Sequence, residues 1–154
     1  YVGIRTQVNG ASMNPTLENN DQLIVDKLSY HLGNPRRFDI VVFPYPQERG
    51  VHFIKRVIGM PGETVQILED GSILIDGKVL EEVYGNETIT PDHIGRAINP
   101  VVLGEDEYFV MGDNRNNSKD SRDPSVGSIK RDDIVGKAWL RIWPFNHFGF
   151  LKHT

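Results

Sequence analysis

Cysteine is absent, which excludes thiol catalysis, disulfide bonds and zinc–thiolate centres while leaving the compartment open. No apolar run approaches the roughly 20 residues of a membrane-spanning helix. Basic residues are outnumbered, 17 Lys and Arg against 21 Asp and Glu, for a formal charge of −4. That balance argues against nucleic acid as the main partner, because neutralising phosphates needs a clustered basic surface. Repeats, low-complexity tracts and flexible linkers are missing too. Helical patterns are scarce: the best, NDQLIVDKLSYHLG at 20–33, also reads as a strand followed by a turn. Because the sequence starts with Tyr1 and not with Met, we expect a fragment or processed form with an upstream segment removed.

What is present is an ordinary globular composition, 154 residues with 38% hydrophobic and 25% charged, enough for one compact domain with a modest insertion. Its signals are those of short strands. RFDIVVFPY (37–45) is a β-rich run closed by prolines, and VHFIKRVIG (51–59) is a second, ended by the turn MPGE. In VQILEDGSILIDGKVL (65–80), two Asp-Gly turns separate three apolar runs, the signature of a meander of hairpins. EYFVMGDN reads as a strand entering a polar loop, and DIVGKAWLRIWPF as a last strand. The fold expected is mostly β: antiparallel sheets forming a β-barrel-like core from residues 1–65 and 106–154, with residues 66–105 as a small inserted β lobe.

Three polar features stand out against this frame. Ser12 lies in NGASMNPTL, a stretch built to turn sharply. A turn serine whose hydroxyl bonds nearby backbone is the plain alternative to a nucleophile, and a nucleophile would require a base. Five histidines are available (His31, His52, His93, His147 and His153) but none lies in a catalytic motif. The other base is lysine, whose free pKa of ~10.4 must be lowered by burial. The strand period puts Lys55 on one face with Phe53 and Val57, opposite His52, Ile54 and Arg56. A lysine between two apolar neighbours is unusual, although it could also snorkel to the rim of the sheet. The third feature is GDNRNNSKDSRD (112–123). It can be a solvated loop held by Asx turns, or a set of groups fixing catalytic residues by hydrogen bonds and an ion pair. A calcium loop fails at Arg115, Ser118 and Pro124.

Together these stretches resemble the bacterial type I signal peptidases. GASMNPTL is similar to the nucleophile segment of that family, RFDIVVF to the strand that follows, IKRVIGMPGE to its lysine segment and GDNRNNSKDSR to its most recognisable loop. The motifs occur in the family's order, from about residue 8 to 143. By position the resemblance implies Ser12 as nucleophile, with its backbone N–H in the oxyanion hole, and Lys55 as general base. Related enzymes of the eukaryotic endoplasmic reticulum have histidine at the position of Lys55. Ser118 matches a serine that orients the lysine, Asp120 and Arg122 a supporting ion pair, and Asp113 a structural acid. Val8, Met13, Leu17, Phe53 and Ile54 match the segments that form the substrate pockets. Many members carry Ser or Thr two positions before the nucleophile, whose hydroxyl helps bind the oxyanion; Gly10 stands there in this chain.

The resemblance further implies a Ser–Lys endopeptidase that removes signal peptides from secretory precursors after an Ala-X-Ala motif. It needs no cofactor and no metal. The resemblance also implies an anchor upstream of Tyr1 in the cytoplasmic membrane, with the catalytic part expected on the extracytoplasmic side or the equivalent side of a thylakoid. The C-terminal stretch fits such a setting: Lys137, Trp139, Arg141 and Trp143 are expected to share one face, followed by Phe145, Phe148 and Phe150, either as a lipid-facing surface or as rings packed on the core. Two other readings are a self-cleaving repressor-like Ser–Lys protease and a non-enzymatic peptide-binding module. The first cleaves itself at Ala-Gly or Cys-Gly, and neither dipeptide occurs here.

Overall fold

A computed structural model describes residues 3–28, 30, 33–85, 87–144, 146 and 148–151. Tyr1, His31, Phe145, His147 and His153 lie outside the described residues. The chain folds as strands β1 (Gly3–Gln7), β2 (Gln22–Asp26), β3 (Ile40–Pro44), β4 (His52–Gly59), β5 (Thr64–Ile67), β6 (Ile73–Ile75), β7 (Lys78–Val79), β8 (Val101–Val102), β9 (Glu107–Met111), β10 (Ile129–Lys130), β11 (Gly136–Trp143) and β12 (Gly149–Phe150). Besides the single α-helical residue Tyr30, helix among the described residues consists of short 3-10 turns such as Pro91–His93 and Gly95–Ile98.

Eight strands form one antiparallel sheet in the order β1-β2-β11-β3-β4-β9-β10, with β12 also on β11. Its two ends do not pair with each other, so the sheet is open and not a closed barrel. β5 to β8 form a second, four-stranded sheet in the order β7-β6-β5-β8. The Asp-Gly turns are where the sequence puts them. At the β6–β7 turn both Asp76 (φ 51°) and Gly77 (φ 81°) take positive φ, as a tight two-residue hairpin requires.

Residues 20–28 form no helix, and within 20–33 helical conformation is described at Tyr30 alone. Their first part is β2, paired with β1 on one side and β11 on the other. Its burial alternates, with Leu23 and Val25 facing the core. Pairing on both sides satisfies the backbone of this β-branched run, and period 2 overrides the weaker helical pattern.

β4 is the wall between the core clusters. Phe53 and Val57 pack with Val41, Phe43, Tyr108 and Val110 on one side. On the other, Ile54 joins the cluster of Val8, Met13, Leu17 and Leu23, and Ile58 the cluster of Val65, Ile67, Phe109 and Met111. That last cluster mixes residues of both sheets, so the second sheet shares its apolar interior with the first. The period-2 reading of β4 therefore holds, and both of its faces are buried from Lys55 onward.

Candidate active site

Ser12 sits on a tight turn between β1 and β2. The turn is held by Asn14 N–H on Ala11 O at 3.0 Å and Leu17 N–H on Met13 O at 3.0 Å. Gly10 enters it with φ +94°, and a Cβ built there would meet open space. The requirement for glycine is thus conformational and not one of room. Gly10 N–H donates to Asn19 Oδ1 at 2.9 Å, closing the neck of the loop.

Lys55 projects from β4 towards that turn, with Nζ 2.7 Å from Ser12 Oγ. The lysine is only 5% exposed, opposite Val41 in the β3–β4 ladder, and its Nζ lies 4.8 Å from the Phe53 ring centroid. Burial brings its amine down from 10.5 to about 8; Asp120 works against that shift and Arg122 adds to it. The snorkelling alternative is excluded by this burial.

The loop after β9 packs directly on the Ser12 turn. Asn114 N–H donates to Ser12 O at 2.8 Å and Asn114 Nδ2 to Ala11 O at 3.0 Å. A Cβ on Gly112 would stand 2.2 Å from Ser118 Oγ and 2.5 Å from Ser12 O, so only glycine allows this approach. Asp120 accepts from Gly112 N–H at 2.9 Å and from Arg122 Nε and Nη2 at 2.9 and 2.8 Å. Ser118 Oγ donates to Asp120 Oδ2 at 2.8 Å. Among the described residues its hydrogen bond runs to this carboxylate and not to Lys55. Asp113 is fully buried against Arg56, which donates through Nε and Nη2 at 2.9 and 2.7 Å. Thr16 Oγ1 adds a third donor to Asp113 at 2.5 Å.

Arg56 and Thr16 were missed in the sequence, and so was the partner of Asp113. The signal for Arg56 was there: it lies between Ile54 and Ile58 on its own face of β4, just as Lys55 lies between Phe53 and Val57. Thr16 offers no comparable sign.

A cleft of about 470 Å³ runs beside the pair, bounded by Val8, Gly10, Ser12, Met13, Phe53, Ile54, Lys55, Asn117 and Lys119. Four of the five expected pocket residues line it. Leu17 does not: it is wholly enclosed in the cluster with Leu23, Ile40 and Ala138, because the Ser12 turn folds it inward as its apolar anchor. The Ser12 N–H makes no hydrogen bond among the described residues and can receive an oxyanion.

The C-terminal strand departs from expectation. β11 carries irregularities in its pairing with β2 between Ala138 and Leu140 and between Arg141 and Trp143, which break the period that would align Lys137, Trp139, Arg141 and Trp143. Lys137 Nζ turns to Asp39 at 3.3 Å and Arg141 Nε to Asp21 at 3.5 Å. Trp139 packs on Phe150, centroids 5.3 Å apart, while Trp143, Phe148 and Phe150 remain exposed.

A hydroxyl on a rigid turn, within hydrogen-bond reach of an amine that loses its proton near neutrality, has the chemistry of a Ser–Lys hydrolase. Similarity to known proteins narrows that class. Residues 2–143 match the family described as signal peptidase, peptidase S26. Signal peptidase I of Leptolyngbya laminosa is 46% identical over 164 residues, covering 97% of this chain and 76% of the relative. Signal peptidase I T of Bacillus subtilis is 40% identical, covering 90% and 73%. The crystal structure of a signal peptidase I from Enterococcus faecalis superposes with a TM-score of 0.54 at 36% identity, covering 68% of this chain and 96% of that one. The chain belongs to the signal peptidase family.

Proposed function

We propose that this chain is the catalytic part of a membrane-associated serine endopeptidase that removes N-terminal signal peptides from exported precursors. Family membership supports the reaction, and the observation that carries the residue assignment is the 2.7 Å contact between Ser12 Oγ and a buried Lys55 Nζ. Neutral Lys55 takes the hydroxyl proton as Ser12 Oγ attacks the scissile carbonyl, and the oxyanion settles on the Ser12 N–H. Protonated Lys55 then donates to the leaving amine, and an ester remains on Ser12. Lys55, neutral again, activates water, which releases the signal peptide from the ester. No metal and no cofactor takes part.

Asp120, Arg122 and Ser118 fix the loop that closes over Lys55, and Asp113 with Arg56 fixes the same loop against the Ser12 turn. In this reading residues 66–105 are a lobe inserted into a core of 1–65 and 106–154. The precursor enters the cleft extended, so alternate side chains face the protein. Val8, Met13, Phe53 and Ile54 then form shallow walls for the residues one and three before the scissile bond, hence Ala-X-Ala. The site works on the extracytoplasmic side of a membrane; no helix among the described residues is itself long and apolar enough to cross one.

The test is incubation with a secretory precursor. Ser12→Ala and Lys55→Ala are each expected to lower turnover by at least about 10³-fold with the fold intact; near-normal turnover in either would end the assignment. A peptide series varied at the three residues before the bond is expected to show tolerance only at the middle one. Equal sensitivity at all three would exclude this binding mode.

A further inference from the structure

Arg56 and Arg115 are 0% and 2% exposed, and a buried guanidinium is costly unless its donors and its faces find partners. The in-plane donors of Arg56 go to Asp113 and, through Nη1 at 2.8 Å, to Phe38 O. Its flat face is covered by the Tyr84 ring, whose centroid lies 3.7 Å from Cζ. Arg115 donates through Nε to Gly112 O at 2.9 Å, and its Nη2 is paired with Glu82. The Glu82 carboxylate also accepts from Gly85 N–H at 3.2 Å. Gly85 itself lies flat on Arg115, where an added Cβ would stand 3.2 Å from Nη1. Three residues beyond β7, Glu82, Tyr84 and Gly85, therefore cover the two arginines, while Val83 between them points to solvent.

The two arginines converge on neighbouring residues. Arg115 holds the carbonyl of Gly112 and Arg56 holds the carboxylate of Asp113. These same residues and Asn114 grip the nucleophile turn: Asp113 through Thr16 Oγ1 and through its N–H on Met13 Sδ at 3.4 Å, Asn114 through the Ser12 and Ala11 carbonyls. A strap from the lobe thus reaches the nucleophile turn through one buried arginine and one residue of the loop after β9 on each path.

We propose that Glu82 and Tyr84 are positioning residues, which clamp Gly112 and Asp113 onto the Ser12 turn and so keep Ser12 Oγ in register with Lys55. The proposal rests on the Ser12–Lys55 reading above. A cation over an aromatic face holds most strongly where water is excluded, and small displacements of a reacting group are costly in rate. The clamped loop continues to Asp120 and Arg122, the two charges that act on Lys55. A loosened clamp admits water to the amine and returns it towards its ordinary value.

The test compares Tyr84→Phe, which keeps the ring, with Tyr84→Leu, which fills the space without one, and adds Glu82→Gln, all in this chain and with Ser12→Ala as reference. Tyr84→Phe is expected within about two-fold of the parent in kcat, whereas Tyr84→Leu and Glu82→Gln lose about ten-fold or more with KM changed less than about three-fold. In both weakened variants the acid limb of the rate profile moves to higher pH. A merely structural contribution would lower melting temperature and leave that limb in place. Tyr84→Leu equal to Tyr84→Phe in kcat and in pH profile overturns the proposal. Should Tyr84→Leu fail to fold, Glu82→Gln decides alone, and parent-like kcat with a parent-like acid limb overturns it. If the parent does not cleave precursor, or Ser12→Ala cleaves as well as the parent, the peptidase reading fails instead. The clamp is then judged on the Lys55 titration by carbon-13 NMR: it stands if the amine titrates higher in Tyr84→Leu than in Tyr84→Phe, and falls if the two agree.

Discussion

Lys55 links stability to pH in the direction opposite to an ion-paired lysine. Its folded value, about 8, lies below its ordinary 10.5, so between those values the unfolded chain binds the additional proton. Stability attributable to Lys55 therefore rises with pH across that window, and the deficit is complete below about pH 8. Lys55→Met is expected to stabilise the fold at pH 7 by up to about 3 kcal/mol. That gain shrinks as the pH is raised from 8 to 10, which denaturant titrations at several pH values would show. Catalytic rate in the parent chain is expected to rise through about pH 8; a rise only near the free lysine value would contradict the burial of Lys55. The apolar neighbours that make Lys55 legible in the sequence exist for Arg56 as well. What a sequence cannot display is the partner across space: Asp113 lies 57 residues away from Arg56, and only the β4–β9 ladder brings them together.

Among elements, strands were legible where pattern and turn chemistry agree, as in β4, β9 and the hairpins at the Asp-Gly turns. The short β8, β10 and β12 have no pattern long enough to read, and over 20–28 the helical reading gave way to the strand reading through pairing on both sides of β2. The even alternation expected along β11 failed because bulges depend on the partner strand and leave no mark in the strand's own residues. The loop after β9 was recognised by its polar density, but its tightest constraint is a residue with no side chain. Gly112→Ala is expected to lower turnover by about 100-fold or more, since the new methyl must displace Ser118 or the Ser12 backbone. Circular dichroism and precursor cleavage on the same sample separate that effect from unfolding.

For the whole molecule, Trp143, Phe148 and Phe150 are each exposed along the edge formed by β11 and β12. Lys137 and Arg141 are turned away to carboxylates, so attraction to this edge is expected from rings and not from charge. Binding to vesicles should change little between anionic and neutral lipids and should fall when the three rings are replaced by serine, as co-sedimentation would show; equal partitioning would mean the rings serve packing only. The two sheets share one of the three apolar clusters, and β4 is the partition on which everything else is hung. It carries two cations in adjacent positions, one aimed at each side. A slip of one residue in its pairing would exchange them, handing Ser12 a guanidinium that never gives up its proton and leaving Asp113 with an amine. The strand would still be paired and its apolar residues still covered, yet the molecule would be inert, so fidelity of assembly in this fold is measured by which neighbour of a Lys-Arg dipeptide reaches the hydroxyl.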